Sequence, residues 1–271
     1  MATVVEHPDP AAVGRSVIAR LEDVASPEVP HPTPSLDATM LATARRLLRS
    51  GRSELRVCGS AGEPEGSTCW FFVRSLLPPP RMLVFGAVDF AAALANQGQL
   101  LGYRVTVCDA RPVFATAERF PGAHEVVVAW PHVYLSEQIQ AGALDERTVV
   151  CVLTHDMKFD VPLLSLALTH RRFAFIGAMG SRRTHQERRR RLIEAGVTEF
   201  ELAALSSPIG LDLGARTPAE TAVSIAAEII AVRTGGTGER LRQRQGPIHA
   251  EPSRTQENEG ERRERRSYVS R

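Results

Sequence analysis

Between Arg81 and Gly235 the chain alternates short apolar runs with helix-length segments, and this rhythm restricts its fold more than any other feature. Strands are predicted over 82–86, 104–109, 126–128, 148–154 and 173–177, each rich in branched or aromatic residues. The run Val149-Val150-Cys151-Val152-Leu153 has no polar alternation, the pattern of a parallel strand covered on both faces. Helices are predicted between the strands, over about 88–101, 133–141, 158–170 and 181–195. Strands alternating with helices imply an α/β fold: a Rossmann-like, doubly wound parallel sheet.

The last helix is the best marked. Thr217-Pro218-Ala219-Glu220 supplies an N-cap, a proline in the first turn and a reciprocal glutamate, and Gly235-Gly236 stops the helix. Before the sheet, Pro78-Pro79-Pro80 can continue neither helix nor central strand and marks a boundary. Residues 1–80 read as a small, reduced N-terminal α+β region. It contains a short helix over 14–24, an amphipathic helix over 36–49, and strands over 54–58 and 69–77. The domains expected are thus 1–80, 81–235 and a charged, disordered tail over 236–271, too poor in apolar residues to offset its ordering entropy.

That tail carries nine Arg against six Glu, so the net charge of +2 leaves the rest of the chain nearly neutral. No strong pull toward nucleic acid follows. The first twenty residues hold no apolar leader segment, and no run approaches the roughly 20 apolar residues needed to span a bilayer. A cytoplasmic protein is expected. Cys58, Cys69, Cys108 and Cys151 form no CxxC pair or metal-ligand spacing, and Cys108 and Cys151 read as small core residues.

Four segments hold candidate chemistry. Gly86 closes the first sheet strand and Asp109 the second, the spacing of a dinucleotide site in which the acid takes the ribose. The glycine turn is poor, however: Val88 would project toward a pyrophosphate and Asp89 would repel it. Thr154-His155-Asp156 follows an apolar strand, where ligands bind in such sheets. His155 and Asp156 suit an acid/base pair or donation to an oxo or phosphate group; alternatively Asp156 caps a helix beside a solvated His155. Gly177-Ala178-Met179-Gly180-Ser181-Arg182-Arg183 opens a helix with two glycines, a hydroxyl and two guanidiniums, the elements of an anion cradle. Cations in a first turn oppose the helix dipole, which favours a functional reason for them. The later run Arg188–Arg191 reads as a solvated face. Finally, Ser207–Thr217 is a loop holding Gly210, Asp212, Gly214 and Arg216, with an Asp212–Arg216 ion pair as its structural alternative.

Thr154-His155-Asp156, the run Gly177–Arg183 and the run Pro208–Pro218 together resemble the C-terminal domain of the XdhC/CoxI family. That family comprises maturation factors for molybdoenzymes of the xanthine dehydrogenase and carbon monoxide dehydrogenase type. Asp109-Ala110-Arg111-Pro112 and Arg119-Phe120-Pro121 match its second βα connection, and the likeness runs from about Pro78 to Arg233. The resemblance implies a chaperone that binds the molybdenum cofactor (molybdopterin) as cargo and inserts it, rather than a catalyst. It implies Gly180, Ser181, Arg182 and Arg183 at the phosphate, and His155, Asp212 and Arg216 at the pterin or metal end. Asp156, Gly177, Gly210, Gly214, Gly86, Asp109 and Arg111 complete the implied site. The implied partners are the large subunit of an apo-molybdoenzyme, with a cysteine desulfurase and a second copy of the chain as further candidates. Two departures stand out: the N-terminal region is shortened, with Trp70 and Phe71 rather than glycines after Cys69, and Val88 occupies the glycine turn. An NAD(P) oxidoreductase and a scaffold recruiting through the arginine-rich tail are the competing readings.

Overall fold

The rhythm after Pro80 folds as a six-stranded parallel sheet. A computed structural model describes residues 1–20, 35–63, 68–170 and 173–245, in one unit built on Met1–Leu77 and another spanning Pro78–Arg240. Among the described residues, no helix is long and apolar enough to cross a membrane.

In the first unit, β1 (Ala2–Glu6), β2 (Ser16–Val17), β3 (Glu54–Cys58) and β4 (Cys69–Val73) form an antiparallel sheet in the order β2-β1-β4-β3. One helix, α1 (Leu36–Ser50), covers it, capped by Ser35 and ended by Gly51 at φ +69°. Its stripe Leu36, Met40, Ala44 and Leu47 packs on Ala2, Val4, Phe71 and Val73. The helix expected over 14–24 is not formed where it is described: Ser16–Val17 is a strand, and 21–24 lie outside the described residues. Pairing wins over local propensity here, because Ser16 and Val17 complete the ladder on β1. The strand β1 itself was not expected; five residues at a chain end carry no recognisable period, and its partner β4 is about seventy residues away.

The second unit runs β5 (Arg81–Phe85), α2 (Asp89–Leu100), β6 (Arg104–Asp109), β7 (Glu125–Val128), α3 (Pro131–Gln140), β8 (Val149–Val152) and α4 (Met157–His170). It continues with β9 (Phe175–Ala178), α5 (Arg182–Glu194), α6 (Glu199–Leu202), β10 (Leu205–Ser206) and α7 (Pro218–Thr234). The sheet order is β10-β9-β8-β5-β6-β7, all parallel. Successive side chains along a strand point to opposite faces, so each central strand serves two cores. Met82, Val84, Val149 and Cys151 meet Leu94 of α2 and Ile225 and Ile229 of α7. Leu83, Phe85, Val150 and Val152 meet Leu135, Leu163, Leu164 and Leu192 from α3, α4 and α5. The unbroken apolar run at β8 is the consequence. Cys108 and Cys151 are buried thiols within these cores, and burial pushes the Cys108 thiol up to about 12. The capping box at Thr217 and Glu220 is present in full, and Gly235 ends α7 at φ +71°. Residues 236–245 contain only a turn at Leu241–Gln243, and the remainder of the tail lies outside the described residues.

One arginine departs from expectation. Arg189, Arg190 and Arg191 are exposed and paired with glutamates, as a solvated face should be. Arg188 is completely buried. Its Nη2 donates to Asp160 Oδ2 at 2.7 Å and to the Met179 carbonyl at 2.8 Å, its Nε to Asp160 at 3.2 Å, and its Nη1 to Ser207 Oγ at 3.1 Å. Four consecutive residues wind through more than a full helical turn, so one must face the sheet. Arg188 shares the face of Leu192, four residues on, and both are buried. Asp160 is equally buried and also accepts a hydrogen bond from Thr154 Oγ1. Burial pushes its carboxyl up, against the opposing pull of Thr154 and Arg188. Replacing Arg188 with leucine strands this carboxylate and is expected to cost about 3–5 kcal/mol in urea unfolding. Arg190→Ala, at an exposed pair, should cost under about 1 kcal/mol. Equal costs for the two variants would mean that Asp160–Arg188 does not hold the fold.

Candidate functional site

Because all six strands are parallel, their carboxyl ends gather the connecting loops on one rim. The sheet reverses its strand order at β5, which lies between β6 and β8, and ligands bind at such a switch point. Gly86 stands there with φ +110°. A Cβ on it would lie 2.9 Å from both the backbone nitrogen and Cγ2 of Thr154. The glycine therefore lets the β5 and β8 loops pass each other, a requirement of packing that holds with or without a ligand. Val88 caps α2 and packs against the core.

Asp109, at the end of β6, is buried and fully engaged. Oδ2 accepts from the Ala87 backbone N–H at 2.8 Å and Arg111 Nη2 at 2.9 Å; Oδ1 accepts from the Arg111 backbone N–H and Nε, both at 2.9 Å. Burial alone would raise its carboxyl, but these donors prevail and hold it below its ordinary value. Four donors fill the roughly four lone-pair sites of a carboxylate. No acceptor is left for a ribose hydroxyl, the contact on which the dinucleotide reading depends. Arg119 secures the same turn from its other side, donating to the Ala87 and Phe114 carbonyls and to Asp89. The matched segments around Asp109 and Arg119 thus clamp the β5–α2 turn.

Across the switch point, Asp156 accepts the Lys158 backbone N–H at 2.9 Å through its side chain, so it caps the start of α4. His155 and Asp156 are exposed, and Asp156 lies within electrostatic reach of Arg111. With Lys158, Val161 and Arg191 they line an open cleft of about 810 Å³, within the range of about 300–1,000 Å³ common for small-molecule sites.

The β9–α5 connection follows. Gly177 is buried in β9, where a Cβ would lie 2.5 Å from Ile209 Cδ1, so this glycine too answers to packing. Past it, Ser181 caps α5, accepting the Thr184 N–H at 3.1 Å, and Gly180 precedes it. Arg182 and Arg183 are exposed at N1 and N2, and among the described residues neither guanidinium has a hydrogen-bond or ion-pair partner. No acidic residue shares their turn. The last loop is pinned to α7: the Gly210 N–H donates to Glu228 Oε2 at 2.5 Å, and Ser224 Oγ donates to the Leu211 carbonyl at 2.5 Å. Gly210 has φ +105° and Gly214 φ +70°. Asp212 and Arg216 are exposed and do not form the ion pair considered above; only the Arg216 backbone is engaged, donating to Glu220. The Ile209 N–H donates to the Ala178 carbonyl, and Arg188 links Met179 and Ser207, so the β8, β9 and β10 loops form one rim.

Residues 82–229 match the XdhC Rossmann domain. The chain belongs to that family. Among curated relatives of this XdhC domain, a probable xanthine dehydrogenase subunit of Bacillus subtilis (strain 168) is 34% identical over 162 residues, 60% of this chain and 46% of the relative. The molybdenum cofactor insertion chaperone PaoD of Escherichia coli (strain K12) is 28% identical over 156 residues, 58% of this chain and 41% of the relative. The chain thus spans less than half the length of these relatives. A crystal structure of a xanthine dehydrogenase from Bacillus halodurans shares the fold, with a TM-score of 0.51 at 23% identity over 72% of this chain and 66% of that one.

Asp160 and Glu228, on which the XdhC domain also relies, were passed over by sequence reasoning, and Arg188 was read as part of a solvated face although it is buried. The i, i+4 spacing of Arg188 and Leu192 was a signal for the inward face of Arg188; an acid directly before the apolar run Val161–Leu168 was a signal for Asp160. Removing the Asp109 charge has a definite pH signature. Its depressed pKa contributes stability above the ordinary value of 3.8, and that contribution is lost as pH falls through the folded-state value. Asp109→Asn is expected to cost about 1–3 kcal/mol at pH 7. The gap from the parent chain should shrink on acidification below pH 3.8. A gap independent of pH in urea titrations would show that the carboxylate is not what holds the turn.

Proposed function

We propose that this XdhC protein binds the molybdenum cofactor as cargo and inserts it into a molybdoenzyme of the xanthine dehydrogenase type. The observation that carries the reading is the pair of guanidiniums, Arg182 and Arg183, without a partner among the described residues, at the start of α5 on the rim of family-matched loops. The kinship with a chaperone described as inserting that cofactor supports it.

The chemistry of the rim suits such a cargo. A pterin phosphate is an anion; the Ser181 hydroxyl, the free N–H groups of the α5 start and the two guanidiniums would hold it. His155, Asp212 and Arg216 are exposed and free to turn toward the pterin or the metal, donating or accepting hydrogen bonds at its oxo or sulfido groups. Gly86, Asp109, Arg111, Asp156, Gly177, Gly210 and Gly214 act at one remove, by fixing the loops that present these groups. No bond in the cargo has to break for this role. The client is the large subunit of a cytoplasmic apo-molybdoenzyme, and a cysteine desulfurase and a second copy of the chain are further partners in this reading.

The decisive experiment is co-purification with elemental analysis for molybdenum and release of the bound pterin, followed by binding measurements on Arg182→Ala/Arg183→Ala. Losing two charge-assisted contacts of about 1.5–3 kcal/mol each is expected to weaken cofactor binding at least ~100-fold. Unchanged affinity would refute the assigned phosphate site; a parent chain that binds no cofactor at all would refute the function.

A further inference from the structure

On the same rim, at the carboxyl end of β7, stands a residue that the site described above does not use. Trp130 caps α3 and is 46% exposed, a costly position for a large apolar ring. Its neighbours come from the start of α4. Phe159 lies 5.2 Å from the indole centroid at an interplanar angle of 39°, and Lys158 Nζ lies 5.4 Å from it. The His132 ring meets its edge, 6.3 Å away at 63°. These contacts fix the indole's orientation while leaving nearly half of it open to solvent. Lys158 belongs at the same time to the 810 Å³ cleft that His155 and Asp156 line, so the cation beside the ring is shared with that cleft.

A second half-open ring stands beside Arg111. Phe114 is 40% exposed and is stacked by the Arg111 guanidinium at 4.5 Å, and Arg111 interacts electrostatically with Asp156. Two half-open aromatic rings thus each stand beside a cation. Exposed apolar side chains scattered singly need no explanation, but an oriented indole with a lysine beside it suits a flat heteroaromatic ligand that carries an anionic substituent. Aromatic side chains hold flat ring systems by stacking on their π-faces.

We propose that Trp130 is a stacking platform for the planar heteroaromatic ring of the bound ligand, with Lys158 at the ligand's anionic substituent. The proposal deepens the cofactor-carrier reading and rests on it: the phosphate would lie at Arg182 and Arg183 and the flat ring toward Trp130.

The chain has two tryptophans, Trp70 and Trp130, so a Trp70→Phe chain reports on Trp130 alone. Titrating it with molybdopterin released from a purified molybdoenzyme is expected to quench the emission saturably. Trp130→Leu should weaken binding about 10-fold, Trp130→Phe should recover most of that loss, and urea midpoints should separate any loss of folding from loss of stacking. If Trp130→Leu binds the pterin as tightly as the parent while Arg182→Ala/Arg183→Ala does not, the platform is refuted and the carrier reading stands. If Trp130→Leu retains the pterin but no longer associates with the client enzyme, the ring is a protein contact and the platform is equally refuted. If the parent chain binds no pterin, both readings fall together.

Discussion

The rim of this XdhC domain depends on one buried ion pair. Asp160 and Arg188 sit on neighbouring helices, fully out of solvent, and their remaining hydrogen-bonding capacity reaches Thr154, the Met179 carbonyl and Ser207. Those three points lie on the loops that follow β8, β9 and β10. An isolated buried charge would be very costly, and the pair is tolerable only because its geometry satisfies nearly every donor and acceptor. The same requirement makes it a positional device: Arg188 cannot meet all its partners unless the three loops occupy fixed places. Apolar packing of equal volume would stabilise the layers as well but would not impose that register.

The glycines on the rim show why a sequence signature and a binding role need not coincide. Gly86 and Gly177 sit where a phosphate-binding fold places glycines, yet the atoms that exclude a Cβ belong to Thr154 and Ile209 of this chain. Asp109 likewise occupies the place of a ribose-binding acid, but all its lone pairs are spent on Ala87 and Arg111. Residues that elsewhere touch a dinucleotide serve here to brace loops. What stands exposed on the surface is different: Arg182, Arg183, Asp212, Arg216 and His155, side chains chemically suited to an anionic, hydrogen-bonding cargo. The division between bracing residues beneath and exposed polar residues above gives the rim its directionality.

Much of the architecture was legible because it follows from local patterns. The parallel strands of the second unit announce themselves as apolar runs, and α7 is specified at both ends by its capping box and its left-handed glycine. The features that were missed share one physical trait: their meaning lies in partners distant along the chain. Strand β1 has no period of its own and exists by pairing with β4. Ser16–Val17 gives up any helical tendency for a place on β1. Trp130 reads as an ordinary apolar residue before a proline until Lys158 and Phe159 are seen beside it.

The sequence by itself determined the class of fold, five of the six sheet strands and five of the six helices after Pro80, and the segments that carry the family likeness, since each is written in contiguous residues through periodicity, capping and turn chemistry. The short α6 and β10 were not legible in it. Only the tertiary structure decided what those segments do for one another. It turned Arg188 inward while leaving Arg189, Arg190 and Arg191 outside, closed the Asp109 carboxylate to any ribose, and left Asp212 and Arg216 apart. The reason is physical: burial and hydrogen-bond satisfaction are properties of the neighbourhood, and residues far apart in the chain supply that neighbourhood.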